Sequence, residues 1–250
     1  MLITGFAAGM FQTNCYILAT EAGAEAVIVD PGHDAAPRVR ELLAEHDLTP
    51  VAVLLTHGHL DHTWNAAELC DEFSIPAYIH ADDRPMLADP GVGLGRALGD
   101  MIGSLEFREP EKVIDFVDGE EIDVAGIRIS VDLAPGHTQG SVLLGIEVPV
   151  EVDPGEEDAA DTTSRIPSVV PVCFSGDVLF AGSIGRTDLP GGNHQQLLDS
   201  IAEKLLPLPD HTQVLPGHGP QTSIGAERAG NPFLADLSAS GTVKKGRYGL

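Results

Sequence analysis

The chain of 250 residues is poor in cysteine, in aromatic side chains and in positive charge. Its three cysteines, Cys15, Cys70 and Cys173, show no C-x-x-C spacing, which argues against a disulfide framework and against a thiolate metal site. Cys15 and Cys173 lie in apolar runs and are expected in the core. Only 14 lysines and arginines stand against 38 acidic residues, for a net charge of −24. Such a field repels a phosphate backbone and no basic stripe offsets it, so a nucleic-acid partner is not expected. No run approaches the ~18 apolar residues that cross a bilayer. The first residues, MLITGFAAGMFQTNCYIL, lack the basic start and cleavage pattern of a signal peptide. The expectation is a cytoplasmic protein with no membrane partner. No G-x-S-x-G is present, so a serine nucleophile has no candidate motif.

What is present is a globular α/β texture, 43% hydrophobic. Apolar, β-branched runs begin at Asn14 (NCYILAT), Glu25 (EAVIVD) and Val51 (VAVLLT). Between the last two lies DAAPRVRELLAEHDL, with Val39, Leu42, Leu43 and His46 at helical spacing and Asp34 placed as its N-cap. HTWNAAELCDEF then predicts a helix and IPAYIH a strand, while Asp89 to Glu109 is glycine-rich and predicts a loop with one helical turn near the pocket mouth. KVIDFV, IRISVDLA, SVLLGIE and SVVPVCFSGD predict further strands, followed by a helix HQQLLDSIAEKLL, a strand TQVLPG and a short helix after Thr222. Each half thus carries strands followed by helix, which predicts two packed β-sheets flanked by helices in one domain, 1–250. Glu147 to Arg165 holds seven acidic residues before its first basic one. It is expected to be a mobile acidic insertion at about 147–165, since the ordered spacing of a calcium loop is missing.

The segment Thr56 to His62, THGHLDH, places three of the 10 histidines and an aspartate within six positions. Chance gives H-x-H-x-D-H on the order of one time in a thousand for a chain of this length. It follows a strand and opens a helix, where an α/β sheet presents side chains into a crevice. His57 and His59, two apart, project to one side of an extended segment, while Asp61 and His62 can point elsewhere. One loop can therefore feed two adjacent metals. Three more ligand-type residues follow apolar runs: His137 in LAPGHTQGS, Asp177 in CFSGDVLF and His218 in VLPGHGP.

H-x-H-x-D-H, then P-G-H-T, G-D and P-G-H-G, in this order, resembles the metallo-β-lactamase superfamily, from TNCYIL to NPFL. Within it, GSIGRTDLPGG (Gly182 to Gly192) and TSIGAERAGNPFL (Thr222 to Leu234) are most similar to the glyoxalase II-like branch, that of hydroxyacylglutathione hydrolases. The resemblance implies a four-layer αβ/βα sandwich of two mixed sheets. It also implies that His57, His59 and His137 bind a first metal, that Asp61, His62 and His218 bind a second, and that Asp177 bridges both. Asp30, in VDPG, is implied to support the site without ligating. Nitrogen- and carboxylate-rich sites of this kind suit two divalent ions, zinc foremost, with iron or manganese as alternatives.

Two ions about 3.5–4 Å apart can share a water and bring its pKa towards ~7, giving a metal-bound hydroxide that attacks a carbonyl. Asp61 would hold the second metal and orient that nucleophile. The implied function is a thioester hydrolase acting on a small molecule of the hydroxyacyl-glutathione type. The alternatives are a mononuclear-iron persulfide dioxygenase, or a lactonase or β-lactamase, of the same superfamily. Only 32 residues follow His218, where longer glyoxalase II enzymes carry a helical region that contacts glutathione. The basic stretch Lys244-Lys245-Gly246-Arg247 is therefore a candidate contact for an anionic thiol carrier. His33, His46 and His211 are expected in loops or at the surface, His194 at a helix start and His80 in a structural role. Arg186 and Asp188 are expected to brace the loop after the Asp177 strand.

Overall fold

The computed structural model describes residues 1–94, 106–150, 168–235 and 237. A first mixed sheet runs in chain order through β1 (Leu2–Ala8), β2 (Thr13–Ala19), β3 (Glu25–Val29), β4 (Thr49–Leu54), β5 (Ala77–His80) and β6 (Val113–Phe116). Its first three strands are antiparallel and β3 to β6 are parallel. A second sheet is built from β7 (Glu121–Val124), β8 (Ile127–Leu133), β9 (Val142–Val150), β10 (Ser168–Gly176), β13 (Gln213–Pro216) and β14 (Thr222–Ser223). Between β10 and β13 comes a two-stranded hairpin, β11 (Leu179–Phe180) and β12 (Ser183–Ile184). The parallel β10–β13 pair is what brings the strand before Asp177 beside the strand before His218.

Alternation along the strands separates the layers, because successive side chains point to opposite faces. Leu18, Val27, Val29 and Leu54 of the first sheet meet Ile129, Val131, Leu144 and Phe174 of the second in the central core. Their neighbours Ile17, Ile28 and Val53 face outward onto α1 (Ala35–Glu45) and α3 (Ala66–Phe73), against Val39, Leu42, Leu43 and Leu69. On the far side, Leu143, Cys173 and Val214 pack against Leu197 of α6 (His194–Ser200), against Ile201 and Leu205 of the π-helical turn after it, and against Ile224 of α7 (Ile224–Gly230). These are four layers, helix–sheet–sheet–helix. Cys15, Cys70 and Cys173 are all buried and unpaired. Among the described residues no helix is long and apolar enough to cross a membrane.

Several local expectations are corrected. Asp34 does not cap α1: it sits at φ 58° and its side chain accepts no capping bond. The cap is supplied from 30 residues away, where Asn65 Oδ1 accepts from the amides of Ala35 (2.9 Å) and Ala36 (3.2 Å). Asn65 also ends the helix expected to run on from His62. The chain makes one turn, α2 (Leu60–Thr63), then breaks at Trp64–Asn65 before α3, with the Asn65 amide donating to Pro31 O. The acidic insertion begins later than Glu147, because Glu147 to Val150 complete β9 against β10; residues 151–167 lie outside the described residues. α4 (Pro85–Ala88) comes just before the glycine-rich stretch, whose helical turn α5 (Gly91–Leu94) precedes residues 95–105, which also lie outside them. So do Lys244, Lys245 and Arg247.

Candidate metal centre

β4 delivers Thr56 to a buried aspartate. Asp30, at the end of β3, accepts from the Thr56 amide (2.8 Å) and hydroxyl (2.6 Å), and its Oδ2 also faces His62 Nδ1 at 3.0 Å. The carboxylate thus sets both ends of the THGHLDH segment and leaves His62 Nε2 facing inward. His137 is held by a similar device, with Nδ1 2.8 Å from Arg186 O and Nε2 directed inward. The expected Arg186–Asp188 brace is present as a two-pronged pair with both contacts at 2.8 Å.

Three ring nitrogens then converge. His59 Nδ1 lies 2.9 Å and His57 Nε2 3.2 Å from His137 Nε2. A second group lies alongside: Asp61 Oδ2 is 3.1 Å from His218 Nε2 and 3.6 Å from His62 Nε2. Asp177 stands between them, with Oδ1 3.3 Å from His62 Nε2 and Oδ2 3.6 Å from His137 and 3.7 Å from His218. Ligand-type atoms of His57, His59 and His137, of Asp61, His62 and His218, and of His57, His62 and Asp177 lie within 4.8 Å of one another in each group. All seven sequence candidates therefore meet at one place, while His33, His46, His80, His194 and His211 belong to none of these groups. Gly217, before His218, is where a Cβ would strike both Asp177 Oδ1 and His62 Cε1. A glycine is required for the second group to close on the carboxylate.

The arrangement fits divalent cations. His62 Nε2 and Asp177 Oδ1, which face the centre, are buried without a hydrogen-bond partner, and such orphaned atoms are costly unless a ligand satisfies them. The donor set, imidazole and carboxylate with no thiolate, suits zinc, iron or manganese. Electrostatics divide the centre. Burial, then the neighbouring histidines, push His57 well below the usual imidazole range. Burial and His137 bring His59 down to about 3. For His62 burial acts in the same sense, but Asp61, Asp177 and Asp30 outweigh it and hold the ring well above the usual range. His218 is likewise raised against burial, by Asp61 and Asp177. Burial would raise Asp61 and Asp177, yet His62 and its neighbours hold both carboxyls low.

A family model for the metallo-beta-lactamase superfamily matches residues 8–149 and 169–218. The chain belongs to the metallo-beta-lactamase superfamily. Membership makes it a metal-dependent hydrolase of the α/β fold described above. It is 48% identical over 239 residues to an uncharacterized protein of Mycobacterium tuberculosis, covering 95% of this chain and 100% of the relative. It is 33% identical over 228 residues to the hydroxyacylglutathione hydrolase GloC of Haemophilus influenzae, covering 91% and 95%. Among solved structures, the BLEG-1 B3 metallo-beta-lactamase superposes with TM-score 0.75 at 38% identity, covering 94% of this chain and 100% of that one. A di-iron-bound form of TTHA1623 superposes at 0.69 and 33%, covering 92% and 100%.

Sequence reasoning missed residues that this superfamily member uses around the centre. Thr13 Oγ1 donates to Asp61 Oδ2 (3.2 Å), and Thr13 pairs with His218 as an isolated β-bridge. Asn14 Nδ2 donates to Pro216 O (3.0 Å) and Gly219 O (2.9 Å), and Tyr16 Oη to Pro216 O (2.7 Å). The available signal was an asparagine inside an otherwise apolar strand, a residue depleted from strands unless its side chain has work to do. Asp83 was also missed.

Proposed function

We propose that the protein is a binuclear hydrolase that cleaves acyl thioesters of the hydroxyacyl-glutathione type. In this reading His57, His59 and His137 hold one ion and Asp61, His62 and His218 the other, with Asp177 shared and zinc the metal. The observation that carries it is the Asp177 carboxylate, which stands against both groups: Oδ1 faces His62, while Oδ2 faces His218 of the same group and His137 of the other. Because each group draws residues from loops of both sheets, we take 1–250 as one catalytic domain.

Divalent ions held there polarise a carbonyl oxygen and acidify water. The chain supplies the positioning. Asp61 reaches towards the open side, and its Oδ2, held by the Thr13 hydroxyl, orients the attacking water. Asp30 and the Arg186 carbonyl occupy the outer nitrogens of His62 and His137, which keeps the inner nitrogens available. His57 and His59 are 1% and 3% exposed and close the floor to bulk water. A thiolate is a good leaving group and needs no protein acid. Support for the thioester comes from the identity with GloC and from the segments Gly182–Gly192 and Thr222–Leu234.

The test is metal analysis of the purified protein together with a panel of hydroxyacyl-glutathione, other thioesters, lactones and β-lactams. Two ions per chain and preferred thioester hydrolysis are expected. Preferred turnover of a β-lactam or lactone would overturn the substrate class alone. A single iron with oxygen-dependent persulfide turnover would overturn the whole reading.

A further inference from the structure

Outside the ligand set, a second buried carboxylate beside the centre, Asp83, lies between β5 and α4 and has no exposed surface. Its Oδ2 accepts from the Gly58 amide (2.9 Å) and the Thr138 hydroxyl (2.6 Å), and its Oδ1 accepts from the Gly140 amide (2.8 Å). Gly58 lies between His57 and His59, and Thr138 directly follows His137. One carboxylate therefore joins the loop after β4, from the first sheet, to the loop after β8, from the second. Thr138 is tied in further, its hydroxyl lying 2.6 Å from Ser141 Oγ.

Both loops are shaped to let Asp83 approach. A Cβ on Gly140 would stand 2.7 Å from Asp83 Cγ and so block the carboxylate, while one on Gly58 would stand 2.6 Å from the Asp83 backbone carbonyl oxygen and so block the approach of that residue's main chain. The spacing of the three inner histidine nitrogens depends on how these two loops meet, because His57 and His59 ride on one and His137 on the other. Asp30 performs the corresponding task at the other end of the THGHLDH segment, where it holds Thr56 and His62.

We propose that Asp83 is a positioning residue for the three-histidine group: by locking the His57/His59 loop to the His137 loop it sets the affinity for that ion without touching it. The inference rests on the binuclear reading above. An isosteric amide cannot replace the carboxylate. Whichever way it is flipped, an NH2 group meets the amide N–H of either Gly58 or Gly140, two donors face to face.

The experiment is a zinc titration of the full-length metal-free protein, as wild type, Asp83→Asn and Thr138→Val. Imidazole ring nitrogens are followed by NMR to tell the two groups apart. Wild type should bind two ions. Asp83→Asn should bind the ion of His57, His59 and His137 about 10–100-fold more weakly, the usual scale for a partner behind a ligand, with His62 and His218 saturating as in wild type. Thr138→Val, which removes one of three donors, should weaken the same ion by a few-fold. Equal weakening of both ions would mark Asp83 as a general fold element and overturn the proposal, as would unchanged binding of both. If Asp83→Asn fails to fold by circular dichroism, Thr138→Val decides by the same comparison. Wild type that binds fewer than two ions would overturn the binuclear reading itself, whereas two ions in wild type with an insensitive Asp83→Asn would overturn only the role of Asp83.

Discussion

The two poles of the centre use different chemistry within a few ångströms. One is three imidazoles, His57, His59 and His137, each 3% exposed or less. The other mixes Asp61, His62 and His218, and its Asp61 and His218 side chains are 20% and 30% exposed. In the all-histidine pole burial and the neighbouring imidazoles outweigh the pull of Asp61 and Asp177, and His57 and His59 are pushed below the usual imidazole range. In the mixed pole the carboxylates win over burial, and His62 and His218 hold a proton more tightly than a free imidazole. Without metal, His57 and His59 thus favour the neutral form, while His62 and His218 are paired with carboxylates. The buried pole is built for holding an ion, and the wetter pole adds the carboxylate that can meet a substrate.

The strongest way to break this division is to remove the residue common to both poles. Asp177→Ala should lower kcat/KM by about 10³-fold or more, on the scale of losing a principal charge-stabilising group, and bring metal content below one ion per chain. His80→Ala, outside the cluster, should stay within about two-fold of wild type. Similar losses in the two variants, measured by steady-state kinetics and metal analysis, would show that the centre is misplaced.

Removing one ligand from each pole sharpens the comparison. His59→Ala and His218→Ala should each leave close to one ion per chain, with the surviving ion at the opposite pole, as ring-nitrogen NMR can assign. Loss of both ions from either variant would mean that the poles are not separable.

Proton competition should separate the poles next. A histidine with a raised pKa stays protonated to higher pH, and the metal must displace that proton; a lowered one has no proton to displace at neutral pH. As pH falls from 7.5 to 5.5, zinc affinity should therefore drop further at the mixed pole, by about tenfold per pH unit for each proton displaced. Calorimetry in two buffers of different ionisation enthalpy reads the protons directly. Equal release on filling the two poles would contradict the electrostatic division.

The smallest expected effect belongs to Thr13→Val. It removes one hydrogen bond to Asp61 Oδ2, worth about 1 kcal/mol or a few-fold in kcat. The three-histidine ion should be unaffected, and a change in its affinity would show that Thr13 acts through the fold at large.

Both poles were legible beforehand to the same extent, since each takes two residues from one short segment. His57, His59, Asp61 and His62 sit in one segment of six residues, where ligand spacing is visible as spacing along the chain. The π-helical turn at Ile201–Leu205, the break at Asn65 and the strands β1 and β7 were not legible. LITGFAA and EIDV are short, and neither forms a solid apolar run. Thr13 looked like any strand residue, because its value lies in what stands opposite it.

Sequence alone determined which side chains are available, their order, and the two-residue alternation that sends successive side chains of a strand to opposite faces. Those properties are local, set by residue chemistry and backbone period. Only the tertiary structure decided that Asp61 meets His218 across 157 positions, Asp83 meets Thr138 across 55, and Asn65 caps a helix 30 positions back. The reason is physical. Each of these contacts joins groups whose own neighbours in the chain express no preference for the meeting, and it forms only once the packed sheets bring the loops to a common edge and desolvation makes an unpaired buried group costly.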